Sequence, residues 1–292
     1  MEKTETGSAA DLARLILRAD SNAEAATLLE QYVAGSPRSD RPVNVGWLSE
    51  PTKVGSESQP TDVFCGRKPY GRDLRVALLY GDRTDAWNPY LTRLSEFASA
   101  VPATVQQLDV AWSRTVGGGL ARIWQEAATW TDPATAGPAL VAGQLLLTAW
   151  WRSVGLTPAL VAGQGLGELA AACTAGILSV DDALRLAAAV RASSTDEIQT
   201  KPASLPFVSL RDGQRHAGPD LGPAHWQACR LPTAANADVC QSLRSSDVDG
   251  YLELGPASLT AACGDSEAGT DGDRFVLASF GGPAGEQTAR MR

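Results

Sequence analysis

The sequence predicts an α/β fold with a short, mostly parallel sheet. Brief apolar runs closed by glycine or polar residues alternate with helix-like stretches, as in sheets covered by helices. One such run, PALVAG at 158–163, passes through a glycine-rich turn straight into a helix. The 292 residues are 44% hydrophobic and 20% charged, enough for a sizeable core.

In chain order, residues 8–33 carry Leu12, Leu15, Ile16, Leu28, Leu29 and Val33 near helical spacing and predict a helical segment. Residues 1–34 are therefore expected to form an N-terminal helical segment and 35–73, rich in Ser, Pro, Gly and Asp, a linker. The main domain is expected to span 74–292. It opens with the strand RVALLYG (75–81), followed by helices at 87–98 and 117–130. GPALVAGQLLLTAWWRSVG (137–155) predicts a long apolar helix stopped by glycine. After the strand at 158–163 comes a helix from about Leu166, then another over 180–193 whose first turn holds Asp181 and Asp182 at the positive end of the dipole. LPFVSL (205–210), GYLELG (250–255) and RFVLASF (274–280) complete the strands.

The net charge of −8 gives a phosphate backbone no attractive field, so nucleic acid is not an expected partner. Five cysteines without a CxxC, and two histidines, suggest neither a disulfide framework nor a metal site, and no cofactor is expected. The start MEKTETGS lacks the basic and apolar regions of a signal peptide, and the most apolar stretch, Ala139–Trp151, is too short for a bilayer. No membrane association is expected, and the expected compartment is the cytoplasm.

The chemistry-bearing segment is VAGQGLGELAAACTAGILSVDDALRLA. A strand, a G-x-G-x-G turn and a helix form the shape of the nucleophile elbow G-x-S-x-G, where a strained turn presents a serine and the next backbone N–H stabilises an oxyanion. The five positions here are Gly163, Gln164, Gly165, Leu166 and Gly167, so the elbow is kept and glycine stands in the serine's place. A dinucleotide-binding turn is the rival reading. It requires G-x-G-x-x-G and an acidic residue ending a second strand, and neither is found.

The segment resembles the malonyl-CoA:acyl-carrier-protein acyltransferase family of polyketide and fatty-acid synthesis. That family's elbow reads GHSxGE before an alanine-rich helix and an AG-LS--DA pattern. Matching residues are Gly163, Leu166, Gly167, Glu168, Ala170–Ala172, Ala175, Gly176, Leu178, Ser179, Asp182 and Ala183. LPFVSLRDG, the HW of His225 and Trp226, YLELGP and RFVLASF resemble later family segments, so the likeness runs over roughly 74–280. It implies the family's large, hydrolase-like subdomain with a short parallel sheet.

The resemblance also implies what has changed. The family uses a serine nucleophile and a histidine base to attack a thioester. Here the nucleophile position is Gly165, with Gln164 before it. The base lies in a ferredoxin-like small subdomain, for which the short stretch between Arg191 and Leu205 leaves no room, so that subdomain is expected to be deleted. Where the family has an oxyanion-side glutamine this chain has Asp82, of the wrong sign. The malonyl-pairing arginine position falls on Val190, with Arg191 one residue late and rotated by about 100°. Arg191 remains the candidate for substrate binding.

The expected function is a catalytically inactive acyltransferase-like protein of polyketide (including antibiotic) or related acyl-chain biosynthesis. It would be a scaffold or partner of a ketosynthase or acyl carrier protein, with self-association a further possibility. The alternative is a repurposed enzyme acting on a carrier-bound or CoA-bound acyl chain through Asp82, Glu168 or His225. Each of the three also has a structural reading: a solvated turn residue, a buried tie to the elbow's neighbours, and a packing anchor with Trp226. The third outcome is a folded remnant without further role.

Overall fold

A computed structural model describes residues 13–17, 63–67, 74–188, 198–231, 243, 245–256, 258–259 and 275–280. They fall into two compact units, 1–74 with 285–292, and 75–284. In the first unit, strand β1 (Ala13–Leu17) pairs antiparallel with β2 (Val63–Arg67), Leu15 opposite Cys65. This corrects two expectations. Ala13–Leu17 is strand, not helix, and 63–67 is strand within the stretch read as linker. Apolar residues at 15, 16 and 17 satisfy either period, and pairing with a strand that opens on the β-formers Val63 and Phe64 favours the ladder.

The second unit is the α/β domain. Its six-stranded sheet has the order β6-β5-β4-β3-β7-β8. These are β3 (Val76–Tyr80), β4 (Pro158–Gly163), β5 (Phe207–Ser209), β6 (Arg215–His216), β7 (Gly250–Pro256) and β8 (Phe275–Phe280). All pairings are parallel except that of β6 with β5. Every residue of β3, VALLY, is buried, as a central strand covered on both faces must be. Helices α1 (Leu91–Ala100), α2 (Pro102–Thr115), α3 (Arg122–Gln125) and α4 (Ala136–Ser153) lie between β3 and β4. Beyond β4 come α5 (Gly167–Thr174), α6 (Val180–Ala187) and α7 (Pro223–Ala228).

Helix α4 buries Leu140, Val141, Leu146 and Leu147. Trp87 stacks on Trp130 with ring centroids 4.7 Å apart, and the edge of Phe280 closes the group. Trp124, Trp150 and Trp151 are only half-buried, whereas Trp87, Trp112, Trp130 and Trp226 lie in the core. The Tyr80 hydroxyl joins β3 to Thr148 of α4 at 3.0 Å and Thr174 of α5 at 2.8 Å, and burial pushes its pKa up to about 12. Ser179 caps α6 by accepting from the Asp182 N–H at 3.1 Å. The Tyr80 ties hold the end of β3 against α4 and α5, and its parallel pairing with β4 sets the elbow beside it. The end of the predicted 180–193 helix, from residue 189, lies outside the described residues.

Candidate functional site

Tyr80 and Gly163 are paired neighbours at the ends of β3 and β4. The Gln164 N–H donates to the Tyr80 carbonyl at 2.9 Å, and the Gly167 and Glu168 N–H groups donate back to Gln164 and Gly165 at 2.8 and 3.1 Å. Gly165 has φ +53°, the left-handed conformation of a strained elbow. Gly167 is demanded by contact, since a β-carbon there would lie 2.2 Å from the Tyr80 carbonyl oxygen. A β-carbon on Gly165 would lie 2.7 Å from Asp82 Oδ2 and 3.1 Å from Asp82 Cβ. The aspartate therefore stands in the space that a nucleophile's side chain needs. Burial pushes the Asp82 carboxyl above the usual carboxylate range. Its neighbour Arg83 is turned to Asp85, in a paired contact of 2.8 Å.

Across the turn, Glu168 sits in the first turn of α5, where the helix dipole favours a carboxylate, and is completely buried. Its Oε1 accepts from the Ser209 hydroxyl at 3.0 Å. Its Oε2 faces His225 Nε2 at 2.8 Å and Cys229 Sγ at 3.6 Å. The His225 ring meets Trp226 edge-on at 4.9 Å, and Trp226 is buried. Burial, with the Glu168 charge second, pushes the Cys229 thiol far up, so it is a protonated thiol at neutral pH. The His216 ring lies 5.6 Å from that of His225, with Nδ1 2.7 Å from Asp220 and Nε2 3.1 Å from Asp212. Burial alone would lower the His216 pKa, but the two aspartates outweigh it and raise it.

The fold thus joins two of the sequence candidates, Glu168 and His225, and sets Asp82 against Gly165. Among the described residues no hydrogen bond links Asp82 to the Glu168–His225 pair. Gln164 is buried and Leu166 half-buried in the turn, and Arg191 lies outside the described residues. Sequence reasoning missed Ser209 and Cys229. The signal for Cys229 was the H-x-x-x-C spacing of HWQAC, which puts both side chains on one helical face. No comparable signal marks Ser209.

A strand–turn–helix elbow at the end of a central parallel strand defines an α/β domain of hydrolase type. The sequence profile of the acyl transferase domain family matches residues 91–244, more than half of the chain, and the chain belongs to that family. Polyketide synthase GfsE of Streptomyces halstedii is 35% identical over 133 residues, 44% of this chain and 4% of that protein. The spectinabilin polyketide synthase system protein NorC of Streptomyces orinoci is 30% identical over 207 residues, 65% of this chain and 9% of that protein. The chain therefore spans less than a tenth of these relatives. The acyltransferase domain from module 8 of the salinomycin polyketide synthase has the same fold, with a TM-score of 0.64 at 15% identity over 92% of this chain and 91% of that one. Among the described residues no helix is long and apolar enough to cross a membrane.

Proposed function

We propose that this chain is a non-catalytic acyltransferase-like domain that serves polyketide biosynthesis as a scaffold or docking partner of a ketosynthase or acyl carrier protein. The observation that carries this reading is the pairing of Gly165 with Asp82. The elbow has no nucleophile, and the space for one is taken by a carboxylate that would repel a developing oxyanion. Two further features support it. Both histidines are engaged by acids, His225 by Glu168 and His216 by Asp212 and Asp220. The interval from Ala187 to Phe207 is too short for a ferredoxin-like subdomain carrying a base, given strands of about 5–6 residues each. The relatives' place in polyketide synthases suggests where such a domain would work. In the repurposed-enzyme alternative, Glu168 would orient His225 through Nε2, and the other ring nitrogen would meet the substrate.

The test is incubation with malonyl-CoA and with acetyl-CoA, read by intact-protein mass spectrometry, alongside capture assays with ketosynthase and carrier protein. No acyl adduct and retention of one of those partners are expected. A stable ester on this chain overturns the non-catalytic half of the proposal, and failure to retain either partner overturns the other half.

A further inference from the structure

Glu168, His225 and Cys229 offer one carboxylate oxygen, one imidazole nitrogen and one sulfur, and these three atoms all lie within 4.8 Å of one another. They arise from two elements, the first turn of α5 and the turn formed by α7 and the residue after it. Glu168 and Cys229 are buried, and the His225 side chain is 13% exposed. A carboxylate in such a place needs a compensating positive charge. Its other contacts are a hydroxyl and a thiol, both neutral.

We propose that Glu168, His225 and Cys229 bind a single divalent transition-metal ion, zinc(II) foremost, with the fourth coordination position left to water or an outside donor. The mixed oxygen, nitrogen and sulfur set excludes magnesium and calcium, which take oxygen ligands, and suits zinc. Metal–ligand distances of about 2.0–2.3 Å in a tetrahedron need donor atoms about 3.3–3.7 Å apart. The Glu168–Cys229 separation of 3.6 Å already meets this, the Glu168–His225 separation of 2.8 Å opens as the ion replaces the shared proton, and the His225–Cys229 edge, within 4.8 Å, closes toward the ion. Cys229 binds as thiolate, so its proton leaves to solvent. His225 binds through the Nε2 lone pair, releasing a second proton where the ring is protonated. Ser209 orients the carboxylate from its far oxygen, as outer-shell partners of metal ligands do. His216 is not a ligand, because both its ring nitrogens are engaged by aspartates. The site is independent of whether the domain transfers acyl groups.

The test is titration of the purified, chelator-stripped full chain with cobalt(II) as a spectroscopic probe, then zinc(II) against a chromophoric chelator. One equivalent is expected to bind, with a near-ultraviolet thiolate-to-cobalt charge-transfer band, visible bands of four-coordinate intensity and proton release. Cys229→Ser should abolish the charge-transfer band, Glu168→Gln should weaken zinc binding by about tenfold or more, and His216→Ala should leave both unchanged. Absence of the band in the unsubstituted protein overturns the proposal, whatever the variants do. A band that persists in folded Cys229→Ser overturns it too, by assigning the metal to another cysteine.

Discussion

The two sides of the 163–167 turn differ in how they use charge. On the strand-end side, Asp82 presses against the bare backbone of Gly165, and its carboxyl is raised by burial with no strong partner to offset it. On the helix side, Glu168 is more deeply buried, yet each of its oxygens has a partner, in Ser209, His225 and Cys229. The same turn therefore holds one carboxylate whose ionised form is poorly supported and one that knits an α5 turn to β5 and α7. A side chain lost from an elbow leaves the fold intact, whereas a partner lost from a buried charge does not. On the proposed reading, this is how the shape of an acyltransferase elbow persists without its chemistry.

The comparison can be broken or sharpened by substitution. The largest effect is expected at Gly167→Ala, where a β-carbon 2.2 Å from the Tyr80 carbonyl forces β3 and α5 apart. A loss of about 3 kcal/mol or more in denaturant unfolding is expected, and wild-type stability would mean that the turn is more pliant than it looks. Next comes Glu168→Ala, which strips His225, Ser209 and Cys229 of their shared acceptor. It should cost about 2–4 kcal/mol by the same measurement, and a neutral result would erase the contrast between the two sides. Gly165→Ser should cost about 1–2 kcal/mol from the left-handed backbone and the Asp82 contact. It should yield no malonyl transfer to a carrier protein, since one restored member of a catalytic set recovers little. Pairing it with Asp82→Ala should recover part of the stability, a coupling measurable in a double-mutant cycle.

The smallest effect is expected from Asp82→Asn. The folded pKa of Asp82 is raised above its unfolded value of about 3.9, so ionisation weakens the folded state once pH climbs through that raised value. The variant should melt slightly higher than wild type at pH 7, and the advantage should vanish below the unfolded pKa. An unchanged difference across that range would mean that the Asp82 charge is not penalised.

The sheet was largely legible because its strands are contiguous apolar runs: β3, β4, β7 and β8 all lie within a residue or two of where RVALLYG, PALVAG, GYLELG and RFVLASF place them. The helices between β3 and β4 were less so. Helix α2 escaped notice because only Leu108, Ala111 and Trp112 of its fourteen residues are buried, although Pro102 at its first turn was a start signal. The helix read over 117–130 is in fact a short helix and a 3-10 turn, since Gly117 and Gly118 adopt positive φ and stop any earlier start. The elbow was readable because its residues are consecutive. The partners of Glu168 were not, because Ser209 and His225 lie 41 and 57 residues away and no local pattern encodes such meetings. Asp82 was singled out from the strand end, but its seat against Gly165 follows only from the parallel pairing of β3 with β4.

The position of β3 also sets a clock. It is flanked by β4 on one side and β7 on the other, and the contact of the Arg75 N–H with Asp249 at the start of β7 bridges 174 residues. At about 5–20 residues per second of synthesis, roughly 9–35 s pass between the emergence of the two partners. β4 itself emerges only about midway through that interval, and from then until β7 arrives this buried strand holds β4 alone, with its other edge unpaired and open to other strands. Long-range parallel pairing is slow to form even once both strands exist. During synthesis, the most exposed moment for this domain is therefore the wait of its central strand for β7, long after the elbow has been made.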